Sequence, residues 1–293
     1  MSHDHHHHHS SNKNLKIAFF LNLGFTIFEI IGGLYVNSIA IISDAIHDLG
    51  DSLSLGTAWY LDQKSKKGSD QKFSFGYARF SLLGALINSI VLILGSIFVI
   101  KEAVERLLAP EQTNAQGMFL FALVGITVNG YAAWKMSGGK SLNEKVVSWH
   151  LLEDVLGWVA ILVASIVLLF FDVPFLDPAL SIAITLYVLW NVIKRLKETL
   201  FLFLQGVPND IHLQEIEEKL LNITYVDSAH HTHIWSLDGE HHVFTTHLKL
   251  KPLNGLDNIL RVKQEVKSIL KTYPFEHFTV ETELSDEDCG LIE

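Results

Sequence analysis

Two histidine–aspartate pairs with the same spacing carry the chemistry of this sequence. His47 and Asp51 stand four residues apart, and so do His150 and Asp154 about a hundred residues later. On a helix that spacing puts both side chains on one face, about one turn from each other. Imidazole nitrogen and carboxylate oxygen suit a borderline divalent cation such as zinc, and two such pairs meeting at one centre form a tetrahedral N₂O₂ set. Magnesium and calcium prefer more oxygens. Four protein ligands leave no position for a bound water, so a metal held this way is cargo rather than a Lewis-acid catalyst. Asp44 and Asp48 share the run that carries His47 and Asp51, and that run otherwise reads as a membrane span. A carboxylate at membrane depth is costly and marks function by default. Asp44, on the face of His47, is either a guide along an ion path or a helix-packing contact. Asp48 and Glu153 point about a third of a turn away from the ligand faces and read as solvated or ion-paired.

The elements that must position these pairs follow from composition. The 293 residues are 49% hydrophobic and only 18% charged, with a mean hydropathy of +0.28. Such a chain is too apolar for a soluble globule and belongs in a bilayer. The net charge of −10 makes a nucleic-acid partner improbable, and one cysteine, Cys289, excludes a disulfide framework. Stretches of about 20 apolar residues, the length that crosses hydrocarbon, occur at residues 15–36, 39–61, 80–100, 118–134, 147–171 and 176–193, which predicts six transmembrane helices. Lys13, Lys16, Lys64, Lys66, Lys67, Lys72, Arg79, Lys135, Lys140, Lys145, Lys194, Arg195 and Lys197 fall in the segments on one side of these spans. The excess of basic residues makes that side, with both termini, cytoplasmic. At about 1.5 Å per residue, Asp51 lies ~15 Å and Asp154 ~10–12 Å from the cytoplasmic end of its span, depths that overlap. The antiparallel run of the two helices sets His47 level with Asp154 and Asp51 level with His150.

Residues 1–14 form a His-rich tail, either an expression tag or a natural metal-gathering segment, with no signal-peptide pattern. Residues 15–200 are the membrane domain, 201–209 a linker punctuated by Gly206 and Pro208, and 210–293 a small α+β domain. The apolar run 199–205 is too short to cross and reads as an interfacial connector. In the last domain, residues 211–221 and 257–273 have helical spacing, while 226–237, 241–250 and 278–284 read as strands, an order α-β-β-α-β. Asp238-Gly239 reads as a two-residue hairpin turn, which opposes Ser236 to His241, Ile234 to Val243 and His230 to His247. A cross-strand His230–His247 pair is close enough to share a metal. Glu281 and Glu283 fall on the wetter face of the last strand. His231, His233, His241 and His242 read as solvated strand residues, and Cys289 as an inert tail thiol.

The chain also resembles a known family. Ser38-Ile39-Ala40-Ile41-Ile42-Ser43-Asp44-Ala45-Ile46-His47-Asp48-Leu49-Gly50-Asp51, Phe75-Gly76-Tyr77-Ala78-Arg79-Phe80, Asn88, Glu102-Ala103-Val104-Glu105-Arg106 and Pro110 look like the cation diffusion facilitators. So do Asn129, the segment from His150 to Asp154, Asp177-Pro178 with Ser181, and Gln205-Gly206-Val207-Pro208. The match runs in order over nearly the whole chain and is closest to the zinc-transporting branch, in which both pairs are HxxxD. The resemblance implies a homodimeric zinc/proton antiporter with six spans and a cytoplasmic metallochaperone-like, ferredoxin-like domain, set in a bacterial-type plasma membrane. It also implies metal ligands in that domain at His230, His247, Glu281 and Glu283, where zinc is a regulatory ligand. The loop between Lys64 and Lys72 has no histidine, so the additional loop site of some relatives is not expected.

Zinc requires deprotonated carboxylates and neutral imidazoles, so metal and protons compete for one site. Cadmium, cobalt and nickel are further substrates to expect from such ligands. An intramembrane metalloprotease needs HExxH, which is absent, and an ATP-driven pump needs a P-loop, also absent. No enzyme activity and no organic cofactor are expected. The alternative reading is a membrane-bound zinc sensor that binds metal without moving it.

Overall fold

The computed structural model of the chain describes residues 8–65, 69–137, 142–253 and 255–290, with the side chains of residues 8–15, 17, 58, 61–65, 136, 137 and 142–150 excepted. The side chains of the amino-terminal histidine run lie outside those described, as do Lys66, Lys67 and Lys140 of the basic loops. Six long helices come first: α1 (His8–Val36), α2 (Ile39–Ser65), α3 (Phe80–Leu108), α4 (Ala115–Ser137), α5 (Leu142–Phe170) and α6 (Leu176–Phe203). Five of them are long and apolar enough to cross a membrane, over Ala18–Val36, Phe80–Leu108, Ala115–Lys135, Leu151–Phe170 and Leu176–Phe203. With 27 residues α2 has the length, but Asp44, Asp48 and Asp51 dilute its apolar content. The chain divides into one compact unit of residues 1–66 and 84–196 and a second of residues 67–83 and 197–293.

Within the first unit, α1 packs along α2 and α4 along α5, whereas α2 and α5 touch at few points. Ile46 of α2 packs instead with Val99 and Ala103 of α3 and with Val188 and Val192 of α6. Trp158 of α5 is fully buried and fills the space that a side chain at Gly125 of α4 would need. The turn between α1 and α2 is short because Asn37 adopts the left-handed region at φ 55°, which asparagine tolerates better than most residues. Its carbonyl oxygen accepts from Arg106 Nη1 at 3.0 Å, and Arg106 Nε donates to Glu102 Oε1 at 3.1 Å.

In the second unit, α7 (Leu213–Leu221) and α8 (Leu256–Leu270) accompany a three-stranded sheet of order β1 (Val226–Ser236), β2 (His242–Leu250), β3 (Phe275–Glu283). Strand β2 is central, antiparallel to β1 and parallel to β3; the parallel pairing requires a crossover, which α8 supplies. Ile216 and Leu220 of α7 and Val262, Val266 and Leu270 of α8 recur at helical spacing and bury against Ile234, Phe244, Leu248 and Leu250 of the sheet.

Two local expectations are corrected. Residues 199–205 are no separate connector, because α6 continues through Phe203. After Pro178 in its first turn, α6 meets no Gly or Pro until Gly206, so the helix ends only where Gln205 turns to φ 64°. There Gly206 N–H bonds to Phe201 O at 2.9 Å and Gln205 N–H to Leu202 O at 3.1 Å, the paired bonds of a Schellman end. The hairpin register also differs: Ser236 opposes His242, Trp235 opposes Val243 and Ile234 opposes Phe244. The loop is longer than two residues because Asp238 Oδ1 accepts from Glu240 N at 3.0 Å and His241 N at 2.8 Å. A bulge between His230 and His233, with His231 at φ 48°, absorbs the slip and returns His230 to His247.

Candidate metal centres

The position of α2 is set at its first turn. Ser38 precedes the helix and its Oγ accepts from Ile41 N at 3.3 Å, as an N-cap side chain does. Asp177, fully buried at the start of α6, supplies a second and distant cap. It accepts from Ser38 Oγ at 2.5 Å, Ile39 N at 2.8 Å and Ala40 N at 3.3 Å. Farther along, Ser43 Oγ lies 2.8 Å from Thr185 Oγ1 of α6. These bonds fix the height of α2 in the bundle.

From that frame α2 presents His47 and Asp51 toward Asp154 of α5. His47 Nε2 is 3.7 Å from Asp51 Oδ2 and 3.8 Å from Asp154 Oδ1. Both separations exceed a direct hydrogen bond and lie close to the edge of a tetrahedron around zinc, about 3.4 Å for ligands at about 2.1 Å. The three side chains line a cavity of about 360 Å³ together with Asn88, Asn191 and Arg195. His150 lies on α5 at the i−4 position from Asp154, and its side chain is outside those described. Asp44 lines the same cavity, is 5% exposed, and its Oδ2 accepts no hydrogen bond among the described atoms. Gly157 of α5 comes close enough that a Cβ there would sit 3.5 Å from Asp44 Oδ1. Glu153 is exposed, as expected.

Asp48 departs from expectation, being buried rather than solvated. It belongs to the packed face between α1 and α2, where Asn22 Nδ2 donates to the Asp48 carbonyl oxygen at 3.0 Å and to Ser52 Oγ at 3.0 Å. Glu29 of α1 is fully buried, and neither of its carboxyl oxygens accepts a hydrogen bond among the described atoms. Its only sequence signal is that it is the one acidic residue inside the first apolar stretch, residues 15–36.

A second cluster forms at one end of the sheet. His230 and His247 face each other across β1 and β2, and β3 brings Glu281 beside His247 and Glu283 beside Lys249. His247 Nδ1 is 2.8 Å from Glu283 Oε1, and His230 Nε2 is 3.2 Å from the same oxygen. Cys289 Sγ, from the tail beyond β3, is 3.7 Å from His247 Nδ1. One ligand atom from each of His230, His247, Glu283 and Cys289 can be chosen so that all four lie within 4.8 Å of one another. Burial pushes the Glu283 carboxyl up, but hydrogen bonds from His247 and Cys289 and the nearby His230 outweigh it and hold the group below the usual carboxylate range.

Four expectations change here. Glu283 is 4% exposed rather than on a wet face, because the tail covers it. Cys289 is not remote from the ligands. Glu281 stands at the rim, its side chain 65% exposed and its Oε2 3.5 Å from His247 Nε2, the ring nitrogen opposite the cluster. His242, expected in solvent, is fully buried with Nε2 3.4 Å from Asp210 Oδ2. His233 is exposed, and the ring of His231 lies 5.5 Å from that of His247.

A helical membrane domain that gathers imidazole and carboxylates around a cavity, joined to a strand-bearing domain with its own ligand cluster, has the build of a membrane transporter of divalent cations. Comparison with known proteins narrows that class. The family profile of the cation efflux transmembrane domain matches residues 15–204, and that of the cation efflux protein cytoplasmic domain matches residues 208–285. The zinc transporter ZitB of Pectobacterium atrosepticum is 33% identical over 99% of this chain and 92% of its own length. The cadmium, cobalt and zinc/H(+)-K(+) antiporter of Bacillus velezensis is 31% identical over 97% and 92%. The metal cation efflux system protein CzcD of Cupriavidus metallidurans is 34% identical over 97% and 90%. The chain belongs to the cation efflux family, the cation diffusion facilitators. Its relatives are transporters and not enzymes.

Proposed function

We infer that this protein exports zinc from the cytoplasm in exchange for protons, by alternating access around a tetrahedral site of His47, Asp51, His150 and Asp154. The observation that carries this reading is the convergence of His47, Asp51 and Asp154 at 3.7 and 3.8 Å on one cavity. Cadmium and cobalt, present in relatives' names, and nickel suit the same ligands. Asp44, on the path beside the site, steers the departing ion. In this reading α2 is the sixth crossing, and its acids face the cavity rather than lipid. Both termini are cytoplasmic, the bilayer is a bacterial plasma membrane, and the chain works as a homodimer. The tail of residues 1–14, the membrane domain 15–200 with α6 carried on to Phe203, the linker from there to residue 209 and the domain 210–293 are its working parts.

Coupling to protons follows from ligand chemistry. Imidazole binds metal in its neutral form and carboxylate in its ionised form, so zinc arriving displaces protons and protons arriving displace zinc. Exposing the site to each side in turn converts that competition into exchange. In the cytoplasmic domain His230, His247 and Glu283, with Glu281 at the rim, bind zinc as a regulatory ligand. The deciding experiment is zinc flux into liposomes holding the purified protein under an imposed proton gradient. Wild type is expected to move zinc and alkalise the lumen in step as protons leave in exchange, and His47→Ala with Asp154→Ala to fall to the level of empty liposomes. Undiminished flux in the double variant overturns the site. The cytoplasmic cluster favours a second reading, a zinc sensor; wild type that binds zinc there and moves none supports it.

A further inference from the structure

We propose that Cys289 is a thiolate ligand of the cytoplasmic centre, completing a His230, His247, Glu283, Cys289 set that closes on zinc or cadmium and pins the carboxyl-terminal tail to the sheet. The proposal rests on the reading that this cluster binds metal, and it is independent of transport through the membrane site. Several observations converge on it. The four ligand atoms lie within 4.8 Å of one another. A thiolate sulfur at about 2.3 Å and an imidazole nitrogen at about 2.1 Å from a tetrahedral zinc are about 3.5 Å apart, and Cys289 Sγ lies 3.7 Å from His247 Nδ1. Glu283 is 4% exposed, yet its Oε2 accepts no hydrogen bond among the described atoms. A buried carboxylate gathered by two imidazoles rather than by water is a ready ligand for a cation, and its Oε2 adjoins His230 Nε2 at 3.2 Å.

The tail is built to deliver the sulfur. Leu284 N donates to Glu287 Oε2 at 3.0 Å and Glu287 N donates back to Leu284 O at 3.0 Å, which turns the chain straight after β3. Lys249 Nζ then holds the Glu287 carbonyl oxygen at 3.3 Å, next to the strand that carries His247. Glu281 could take the fourth place only from the opposite ring nitrogen of His247, which cannot reach the same ion. When metal binds, the thiol proton leaves to solvent as the metal–sulfur bond forms, and no electron is transferred. The soft sulfur selects zinc and cadmium over magnesium and manganese.

The chain has a single cysteine, so any thiolate-to-metal signal from the full-length protein belongs to Cys289; the methionine thioethers and the amino-terminal histidines contribute none. Full-length protein in detergent micelles is titrated with cadmium and its ultraviolet thiolate-to-cadmium charge-transfer absorption recorded. The proposal expects this band in wild type, its loss in Cys289→Ser, and its loss in His247→Gln, which keeps the thiol. Zinc is expected to slow maleimide alkylation of Cys289 by about tenfold or more, since bound thiolate is withdrawn from reaction. Cadmium bound without the band, a band undiminished in His247→Gln, or alkylation unaffected by zinc overturns the assignment. Liposome flux separates the two readings: a band without flux removes only the transport reading, and flux without a band removes only this one.

Discussion

Replacing Asp177 by Ala tests whether α6 sets the height of α2. The side chain accepts from Ser38 Oγ at 2.5 Å, Ile39 N at 2.8 Å and Ala40 N at 3.3 Å, all in a buried site. A hydrogen bond to a charged group contributes about 1.5–3 kcal/mol, and the 3.3 Å contact is the weakest of the three. Truncation also strands two buried backbone donors, Ile39 N and Ala40 N. The expected cost is therefore about 3–5 kcal/mol, in the range for breaking a buried charged network. With shifts of roughly 2–4 °C per kcal/mol for large domains, the variant should melt roughly 6–20 °C lower in detergent. Asp177→Asn keeps one acceptor and should cost about half as much. Because His47 and Asp51 ride on α2, a loosened first turn misplaces both against Asp154, and misplacement by about 1 Å is enough to cost on the order of tenfold to a hundredfold in rate. The assay is thermal unfolding in detergent beside zinc flux in liposomes. A melting temperature and flux equal to wild type would show that α2 is positioned without Asp177.

The remaining predictions concern the cytoplasmic end of the chain. Gln205 holds the left-handed position at φ 64° in the Schellman end of α6, so Gln205→Gly should raise stability by about 0.5–1 kcal/mol in thermal or denaturant unfolding; a loss of stability refutes the strain argument. At the hairpin loop, the hydrogen bond that the His241 ring donates to Asp238 raises the His241 pKa above 6.5. Burial pushes Asp238 up, but bonds from His241 and Glu240 more than offset it and leave its pKa below 3.8. The Asp238–His241 pair thus adds stability fully present below the unfolded histidine pKa, lost as pH rises through the folded value. Asp238 adds stability present above its unfolded pKa, lost as pH falls through the folded one. In a histidine-resolved NMR titration, the His241 midpoint should fall toward 6.5 in Asp238→Asn; an unmoved midpoint refutes the pairing.

What the sequence revealed depended on how strong the physical penalty behind each signal was. Charge inside hydrocarbon is so costly that Asp51 and Asp154 stood out at once, and helical spacing alone placed His47 on the face of Asp51. The order α-β-β-α-β was legible because apolar positions in α7, α8 and the strands keep their periods. Burial of Asp48 was not, since α2 carries acids on more than one face and spacing cannot say which face meets α1. The opposition of His230 to His247 was reached from a two-residue turn that the chain does not make. It holds because a longer loop and the bulge at His231 cancel, a compensation that no local pattern announces. Cys289 read as an inert tail thiol for a related reason: its approach to His247 depends on the Leu284–Glu287 turn after β3 and on Lys249 Nζ holding the Glu287 carbonyl oxygen, a long-range contact that local spacing does not reveal.

The thin contact between α2 and α5 has a thermodynamic meaning. Each of these helices is tied to a partner, α1 and α4, far more than to the other, while His47 of α2 and Asp154 of α5 approach across the seam between them. An ion gripped from both sides acts as a cross-link between two bodies that otherwise adhere weakly. Its affinity and the closure of the seam are then one equilibrium: every tenfold by which the closed form binds more tightly than the open form adds about 1.4 kcal/mol to closure. In the proposed transport reading, departure of the ion and parting of the helices are the same event, and weak helix contact at this point lets a small cation bias the seam between α2 and α5.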